Sequence, residues 1–542
     1  MNRNVESHFS QLPNVSIGRS RFDRSASVKT SFNVGRLIPF YVDEVLPGDT
    51  FKVKTSKVVR MQPLVAPIMD NVYLDTYYFF VPNRLVWSHW RELMGENTES
   101  AWVPETEYNV PQVTSPTGGW SVGTIADYMG IPTGVQGLSV NALPFRAYAL
   151  ICNEWFRDQN LTDPINFSVS DATIAGSNGD NYISDLSKGG MPFVASKYHD
   201  YFTSCLPSPQ KGPDVTIPIA KLADMPVVTG DVHSSNPAFE FVKTNLSSNG
   251  TLGLSNGGVW SFGTTSPSGN SSGVQFTNLW AQGANAIQAT SINELRMAFQ
   301  IQKLYEKDAR GGTRYIELLK SHFGVTSPDA RLQRPEYLGG NRVPITINQV
   351  LQQSGTVAGS TPQGTPTGLS LTSDTNSDFA KSFVEHGFII GLMVARYDHT
   401  YQQGLNRMWS RKSRFDYYWP VFANIGEQAV LNKEIYADGS AKDNEVFGYQ
   451  EAWADYRYRP NICTGEMRSQ AEKSLDSWHL ADDYASRPSL SDVWIREDKS
   501  NLDRALAISS SVSNQLWADI YVQNICTRPM PMYSIPGLID HH

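Results

Sequence analysis

Residues 308–315 read DARGGTRY, and two glycines between arginines are residue types that a phosphate-binding loop could use. A Walker loop, however, follows a strand and ends in GKS or GKT. Here Ser291 and Glu294 form a capping-box pattern that begins a helix, and this helix leads into the motif. Gly311 is expected to end the helix in the left-handed conformation, and Thr313 to cap the next helix. The motif is therefore predicted to be a corner between two helices.

Other side chains with catalytic potential do not form a recognisable motif. The sequence lacks HExxH and GxGxxG, and its 10 histidines are dispersed. His386 and Asp398 could form part of a hydrolytic pair, although a histidine beside an apolar strand is usually a hydrogen-bonded structural residue. The acidic pairs Asp43–Glu44 and Asp482–Asp483 could suggest glycosidase chemistry, but a sequence gives no separation across a cleft. We therefore predict no enzyme activity, no cofactor and no metal site.

The cysteines and the apolar runs limit the class of protein. The 4 cysteines have neither CxxC spacing nor neighbouring histidines at zinc-ligand spacing, so reduced, partly buried thiols are expected. The N-terminal residues MNRNVESHFSQ lack the apolar core of a signal peptide. The run GFIIGLMVA at 387–395 is about half the roughly 20 residues that a membrane helix requires. We expect a soluble protein without a membrane partner.

Composition favours a mainly β fold with few helices. Only 18% of the 542 residues are charged, whereas Gly (41), Pro (31), Tyr (24), Phe (24) and Trp (13) are abundant, as in short strands joined by many turns. The helix that begins at Ser291 is expected to bury a stripe formed by Ile292, Leu295, Phe299 and Leu304. The formal net charge of -8 excludes a wholly basic nucleic-acid binder but can hide a local basic segment.

Hydrophobic patterns place strands at both ends of the chain. From 51 to 61, apolar residues share one parity and Lys52, Lys54 and Arg60 the other, which predicts a strand with one wet, basic face. From 69 to 82 both parities are apolar or aromatic, which predicts a strand covered on both faces. Further apolar strands are expected at 383–397 and 516–526. Pairing between such distant segments indicates one fold with insertions.

Two cation-rich segments could bind nucleic acid. Residues 1–40 form a polar arm in which six cations face two acids, a net charge of +4. From 396 to 419, cations alternate with Tyr, Trp and Phe, and arginines for phosphates with rings for bases are typical of single-strand binding. The alternative is that these rings are core positions beside an ordinary charged surface. The candidate nucleic-acid contacts are Arg19, Arg21, Arg24, Lys29, Arg36, Arg407, Arg411 and Arg414.

Several long blocks of the sequence resemble the major capsid protein of gokushoviruses, small single-stranded DNA phages of the microvirus family. The matching blocks lie in the same order over most of the chain. They include RSRFDRSASVKTSFNVGRLIPFYVDEVLPGDTF (19–51), MDNVYLDTYYFFVPNRLVW (69–87), NEWFRDQNL (153–161), HDYFTSCLPSPQKG (199–212), residues 308–340, YQQGLNRMWSRKSRFDYYWP (401–420), GEQAVLNKEIYA (426–437), VFGYQEAWADYRYRP (446–460) and RPMPMYSIPGLIDHH (528–542). Residues 213–290 and 354–380 match no block.

This resemblance implies an eight-stranded viral jelly roll with long inserted loops, here spanning 41–542 as one discontinuous domain after the 1–40 arm. It also implies about 60 copies in an icosahedral shell around a circular single-stranded DNA genome. Further expected partners are other virion and scaffolding proteins and a host-cell receptor, with assembly in the host bacterial cytoplasm. The alternative function is that of a secreted β-rich carbohydrate-binding protein or glycoside hydrolase, whose Trp and Tyr would stack on sugars.

The two unmatched segments are interpreted as loops of the roll. From Thr244 to Asn293 there is no charged side chain, which argues against simple disorder because disordered tails are usually charged. GVWSFG and GVQFTNLW add short β-like runs that contain Trp260, Phe262, Phe276 and Trp280. We therefore expect 213–290 to form a surface protrusion for host attachment, by resemblance to projections at threefold axes, and 354–380 to be a variable loop. The alternative is a flexible surface loop without a receptor role.

Overall fold

The computed structural model describes residues 18–97, 106–215, 292–357 and 361–533, with the backbone of short strands between 216 and 291. The chain divides into two compact units, Met1–Pro209 with Asp308–His542, and Gln210–Lys307. The smaller unit therefore extends beyond 213–290 and includes most of a long helix. Its strands are Val227–Thr229, Phe241–Lys243, Gly253–Leu254, Trp260–Ser261, Val274–Phe276 and Leu279–Ala281. Among the helices within the described ranges, none is both long and apolar enough to cross a membrane.

Nine strands of the larger unit form two antiparallel sheets around one core. They are β1 (Ser20–Asp23), β2 (Ala26–Phe32), β3 (Ile38–Val45), β4 (Thr50–Met61), β5 (Val72–Pro82), β6 (Glu336–Pro344), β7 (Thr372–Ser382), β8 (Gly387–Tyr397) and β9 (Leu516–Arg528). In the first sheet β1 and β2 both pair with β9, which pairs with β4, and β4 pairs with β7. The second sheet has the order β6, β5, β8, β3.

The strand order is that of a jelly roll. Since β1 and β2 follow one another along the same edge of β9, they act as one interrupted strand, and each sheet then holds four strands. Strands that follow one another along the chain mostly lie in opposite sheets, as in two interlocked Greek keys. The predicted mainly β, eight-stranded viral jelly roll is confirmed as an open arrangement of two sheets. The strands expected at 383–397 and 516–526 are β8 and β9.

The core lies between the two sheets. Phe51 and Val53 from β4 meet Tyr78 from β5, Ile389 from β8 and Ile520 from β9, all of them fully buried or nearly so. Each fully buried side chain of this size contributes about 1.5–3 kcal/mol relative to an exposed one. The sheets are therefore held together mainly by apolar contacts between residues far apart in sequence.

The second sheet is also covered on its outer face. Phe79 of β5 and Ile390 of β8 pack there on a second cluster that contains Trp120, Phe145 and Tyr148 from the connection after β5. Residues of β5 and β8 are buried at nearly every position. The prediction that residues 69–82 form a strand covered on both faces is confirmed, because one face meets each core.

The helices are short except for one. They are α1 (Trp90–Leu93), α2 (Ile125–Tyr128), α3 (Leu143–Ile151), α4 (Ile292–Gly311), α5 (Tyr315–Leu318), α6 (Asn432–Ile435), α7 (Asp492–Ile495) and α8 (Ser500–Ala505). Short strands outside the roll are Gln112–Thr114, Ser139–Asn141, Ile174–Ala175, Ile347–Leu351, Pro366–Ser370, Thr400–Tyr401, Glu427–Leu431, Val446–Glu451 and Asn461–Ile462.

Two segment assignments made from the sequence are wrong. Residues 20–32 belong to the roll as β1 and β2, because their backbone groups pair with β9 from the other end of the chain. The arm therefore excludes them, and residues 1–17 lie outside the described residues. The segment 354–380 is also largely strand, since residues 366–370 pair with 347–351 and β7 pairs with β4. Polar side chains at these sheet edges concealed both elements, because long-range backbone pairing leaves little local signal.

The motif at 308–315 is a corner between α4 and α5, as predicted. Its details differ: Gly312, with φ +91°, takes the left-handed conformation in place of Gly311. Thr313 does not cap α5, because its backbone N–H and hydroxyl donate to Gln159 Oε1. The backbone N–H of Arg314 donates to Glu317 instead (3.2 Å). The arginines of the corner pair with carboxylates of the protein, which agrees with a corner between helices and not with a phosphate-binding loop.

The stripe predicted to be buried on α4 is largely exposed. Ile292, Phe299 and Leu304 are exposed, Leu295 is only half-buried, and Ala298 is buried instead. Ser291, the proposed cap, lies outside the described residues. The 3.6-residue period identifies the apolar side of a helix, whereas burial also requires a neighbouring element that the pattern does not specify.

Candidate nucleic-acid interface

The outward side of the first sheet carries a row of cations, which we call the basic face: Arg21, Lys29, Lys52, Lys54 and Arg60, with the rings of Trp517 and Tyr521. Along β4, Phe51, Val53, Val59 and Met61 point into the core. Lys52, Lys54 and Arg60 alternate with them and are exposed, because successive side chains of a strand point to opposite faces. The predicted strand with one wet, basic face is confirmed.

Pairing in the sheet places aromatic rings among these cations. The central strand β9 sets Trp517 opposite Arg60 of β4 and Tyr521 opposite Ser56. On its other side, Asp519 lies opposite Lys29 of β2. Trp517 and Tyr521 are 41% and 46% exposed, because they alternate with the buried residues of β9 and face away from the core. Neighbouring strands lie about 4.8 Å apart, so rings and cations form one continuous surface.

The charge of the basic face is incompletely neutralised. Its acids are Asp23 and Asp519, and its one ion pair joins Lys29 to Asp519 at 3.7 Å, with both side chains more than half exposed. Among the residues that the structure describes, Arg21, Lys52, Lys54 and Arg60 have no ion-pair partner. Such exposed, unpaired cations are available for the phosphates of a nucleic acid.

The other predicted cations of the N-terminal region contact the protein itself. Arg19 donates to the carbonyl oxygen of Gly48 (2.5 Å). Arg24 pairs with Asp43 at 2.5 Å, and Arg36 with Asp180 at 2.6 Å. Arg21 and Lys29 are therefore the members of this group that the fold places on the basic face.

The second predicted region, the arginine–aromatic segment 396–419, keeps most of its charges paired. Arg407 pairs with Glu434 at 3.2 Å, and Arg411 pairs with Asp455 with both side chains nearly buried. The guanidinium of Arg411 also lies 4.3 Å from the ring centre of Tyr456. Arg414 is exposed beside Phe415 (5.2 Å), without an ion-pair partner among the described residues.

The same segment contains a buried imidazole. His399 lies between Asp482 (Nδ1 to Oδ1 2.9 Å) and Glu497 (Nε2 to Oε1 3.0 Å). Burial lowers the pKa of His399, but the two carboxylates outweigh it and raise the pKa to about 10. Asp482 has a pKa below its ordinary value, since His399 and Lys197 outweigh its burial. Asp482 therefore serves a structural charge network, and the glycosidase reading of Asp482–Asp483 has no support.

Rings of the arginine–aromatic segment are exposed, so the alternative that they are all core positions is wrong for this part of the chain. Trp409, Phe415 and Trp419 are 72%, 63% and 49% exposed. Tyr397 and Tyr401, at the start of the segment, are buried. Large exposed rings such as these are typical of a surface that associates with partners.

The remaining predicted sites do not form catalytic centres. His386 and Asp398 flank β8 at its two ends, about 40 Å apart for an extended strand of that length. His386 packs against Trp90, and burial raises the pKa of Asp398. All four cysteines, Cys152, Cys205, Cys463 and Cys526, are buried free thiols, as expected. Among the described side chains, no cluster of three possible metal ligands occurs.

The predicted protrusion residues are described only in part. Trp260 begins a two-residue strand that pairs with 253–254, Phe276 ends a strand that pairs with 241–243, and Trp280 lies in a strand that pairs with 227–229. The β-like runs predicted there are confirmed for these backbone segments. Phe262 lies outside the described residues.

The sequence interpretation missed Trp517 and Tyr521. It placed a strand at 516–526 but did not divide its residues between two faces. The alternation of Leu516, Ala518 and Ile520 with Trp517, Asp519 and Tyr521 was the available signal.

Comparison with known proteins places the chain in one family. The family model for the capsid protein (F protein) matches residues 10–538. Capsid protein VP1 of Spiroplasma virus 4 is 44% identical over 538 residues, which cover 98% of this chain and 97% of the relative. Capsid protein VP1 of Bdellovibrio phage phiMH2K is 42% identical, covering 99% and 98%, and that of Chlamydia phage 1 is 41% identical, covering 98% of each.

These relatives agree with the fold and with the predicted structural role. The secreted carbohydrate-binding protein or glycoside hydrolase is thereby set aside, since the matched proteins are capsid proteins of microvirus-type phages. A capsid protein is a component of the virion, and its role is structural and not enzymatic. The chain belongs to the capsid protein (F protein) family and forms part of a viral shell.

Proposed function

We propose that about 60 copies of this chain form a closed icosahedral shell around a circular single-stranded DNA genome, with the basic face toward the DNA. The observation that supports this orientation is the set of unpaired cations beside exposed rings on one sheet. Phosphates bind the cations, and unstacked bases stack on Trp517 and Tyr521. We further propose that assembly occurs in the host bacterial cytoplasm with other virion and scaffolding proteins.

A packaging experiment tests the orientation. The triple variant Lys52→Gln, Lys54→Gln, Arg60→Gln is expected to form shells that contain less nuclease-protected DNA, with the deficit largest at low salt and shrinking as salt rises. A matched control replaces the exposed Lys442, Lys473 and Lys499 with Gln, which removes the same charge elsewhere. Equal packaging by the two triple variants would contradict the proposed orientation, and a purified chain that stays monomeric with its scaffolding proteins would contradict the shell.

The predicted DNA contacts outside the basic face are also part of the proposal, but we expect them to contribute unequally to DNA binding. Arg414 is exposed and can reach DNA directly, whereas Arg19, Arg24, Arg36, Arg407 and Arg411 already contact protein groups. Any contact of these five with phosphate uses only their remaining N–H donors. Arg414→Gln is therefore expected to reduce packaging more than Arg36→Gln when protected DNA is measured per particle.

We also propose that residues 213–290 form a surface protrusion that attaches the virion to its host. The absence of charged side chains from 244 to 290 and the placement of the segment in a separate compact unit support this role. Replacement of 248–275 by a short Gly-Ser linker is expected to leave assembly intact and to reduce adsorption to host cells. Trimmed particles that adsorb normally would remove the receptor role.

A further inference from the structure

One cation of β4 points into the sandwich instead of toward the basic face. Lys57 shares its parity with the buried residues 51, 53, 55, 59 and 61. Its side chain is only 2% exposed, although the burial of a charged group is costly. The fold therefore holds an amine between the two sheets, where it has no part in the basic face.

Two cross-strand pairs, one from each sheet, meet at this amine. In the first sheet Lys57 of β4 lies directly opposite Asp374 of β7, with Nζ 3.3 Å from Oδ2. In the second sheet Asn341 of β6 lies directly opposite Thr76 of β5, with Oδ1 2.8 Å from Oγ1. Nζ of Lys57 donates across the sandwich to Asn341 Oδ1 and to Thr76 Oγ1 (3.1 Å). Four strands thus bring an amine, an amide, a hydroxyl and a carboxylate into contact.

Hydrogen bonds fix the orientation of the Asn341 amide. Its Nδ2–H donates to Asp374 Oδ2 at 2.8 Å, and the same carboxylate oxygen pairs with Lys57. Its Oδ1 accepts from Lys57 and from the Thr76 hydroxyl. An amine group donates here and a carboxylate accepts, so the reversed amide would lose both partners. The carbonyl therefore faces the amine, and its Cγ lies one C=O bond, about 1.23 Å, from the oxygen that Lys57 contacts.

The protonation of the two charged groups suits attack by the amine. Burial lowers the pKa of Lys57, and the charge of Asp374 offsets this only in part. Burial raises the pKa of Asp374, but the hydrogen bond from Asn341 and the charge of Lys57 outweigh it and lower the pKa overall. An amine that loses its proton readily therefore lies beside a carboxylate that can accept one. Desolvated lysines of this kind act as nucleophiles at carbonyl carbons.

We propose that Lys57 and Asn341 form an isopeptide bond that joins the two sheets covalently. The neutral Nζ attacks Cγ of Asn341, and the Thr76 hydroxyl stabilises the carbonyl oxygen as negative charge develops on it. Asp374 Oδ2 accepts a proton from Nζ and passes it to Nδ2. The Cγ–Nδ2 bond breaks, ammonia leaves, and a Cγ–Nζ amide remains. One amine replaces another at the same carbon, so the reaction needs no oxidant and no further reactant.

The fold supplies the proximity that this reaction requires. An amine and an amide do not react at a useful rate in dilute solution, whereas reactants held in contact can reach very high effective concentrations. Lys57 and Asn341 are 284 residues apart, so they meet only after the two sheets have packed. The bond therefore forms in the folded chain, and it stabilises the fold because a covalent link between distant residues restricts the unfolded chain.

Mass spectrometry of the purified full-length chain tests the proposal. The intact mass is expected to lie about 17 Da below that of the sequence, the mass of the ammonia released. Trypsin should release residues 55–60 joined to residues 332–342, because the modified Lys57 is no longer cleaved. Asn341→Ala and Lys57→Met should each abolish this linked peptide. Asp374→Asn, which keeps both reacting side chains, should slow its formation about a hundredfold.

The chain provides two controls. Lys433 Nζ donates to Asn444 Oδ1 at 3.0 Å, but at an exposed position, so this pair should give only linear peptides in the same digest. Asp378→Asn is the matched variant for Asp374→Asn. Asp378 lies on the same strand, and its carboxylate accepts from Thr55 and Asn376. This variant should form the linked peptide at the wild-type rate.

The wild-type measurement decides the proposal even where a variant fails to fold. Linear peptides alone, with an intact mass equal to that of the sequence after prolonged incubation at neutral pH, would overturn it. A loss of ammonia without the linked peptide would also overturn it, and so would recovery of residue 341 as an aspartate, since water would then have attacked the amide. Equal rates in the wild type and Asp374→Asn would refute the proton transfer through Asp374.

Discussion

The basic face and the arginine–aromatic segment 396–419 contain the same residue types but use their charges differently. On the basic face, Lys52, Lys54 and Arg60 project from a strand into solvent, without ion pairs in the described part of the chain. In the segment, Arg407 and Arg411 turn toward Glu434 and Asp455. The basic face can therefore bind a polyanion. In the segment 396–419, most of the positive charge instead forms ion pairs within the protein.

The difference shows why a count of cations does not identify a nucleic-acid site. Acids that neutralise Arg407 and Arg411 lie 27 and 44 residues further along the chain, so the segment looks basic only when it is read by itself. What distinguishes the basic face is strand geometry, because neighbouring strands present mostly cations, rings and hydroxyls to the same side. Because most charges of the segment are paired, its exposed rings are better suited to contacts with other protein surfaces than to nucleic-acid binding.

The largest expected effect is on stability within the segment. Arg411→Gln removes one partner of a nearly buried pair and leaves Asp455 without a counter-charge. Loss of one partner of such a pair typically costs about 3–5 kcal/mol. Urea unfolding of the purified chain should show this decrease, whereas Arg414→Gln, at an exposed position, should change the free energy of unfolding by less than about 0.5 kcal/mol. Similar values for both variants would remove the distinction between paired and unpaired arginines.

The next effect concerns His399 and pH. Its folded pKa of about 10 lies above the ordinary value of 6.5, so the folded chain holds a proton that the unfolded chain releases. This contribution to stability is complete below about pH 6.5 and is lost as pH rises toward 10, by up to about 1.4 kcal/mol per pH unit. The free energy of unfolding of the wild type, compared with His399→Gln between pH 7 and 10, should show a shrinking difference. A constant difference over that interval would contradict the buried imidazolium.

A smaller effect separates the rings of the two regions. Trp517→Ala is expected to weaken binding of an oligothymidylate by about 1–3 kcal/mol, since base stacking on an aromatic side chain contributes about that much. Trp409→Ala, although it removes a more exposed ring, should leave this affinity unchanged and reduce shell assembly instead. Fluorescence anisotropy and particle yield measure the two properties. Equal loss of DNA affinity in both variants would assign nucleic-acid binding to the segment as well.

The smallest effect is the salt dependence of a single cation. Lys54→Gln should reduce the slope of log affinity against log salt by about 0.7, the change for one phosphate contact on a single strand. Its effect on the free energy of unfolding should stay within about 0.5 kcal/mol because the side chain is exposed. An unchanged slope would show that Lys54 does not touch phosphate, and Lys442→Gln supplies the baseline.

Local patterns were sufficient for the elements whose environment repeats along the sequence. The period of two in 51–61 predicted both the strand and its basic side, and the doubly apolar run at 69–82 predicted a strand between two cores. The helix before 308–315 and the corner itself were also predicted, although the left-handed glycine is Gly312 and Thr313 does not cap α5. These predictions succeeded because the backbone conformation and the polarity of each face are encoded within a few neighbouring residues.

The sequence alone determined a mainly β capsid protein without a catalytic motif, through composition, alternation and long blocks that resemble one family. Only the tertiary structure decided which cations are paired, that 20–32 and 366–382 are strands, that the stripe on α4 is exposed, and that Lys57 meets Asn341 between the sheets. The physical reason is that ion pairs, burial and strand pairing are contacts between residues far apart in the chain. Their free energies depend on which surfaces the fold brings together, and no local pattern contains that information.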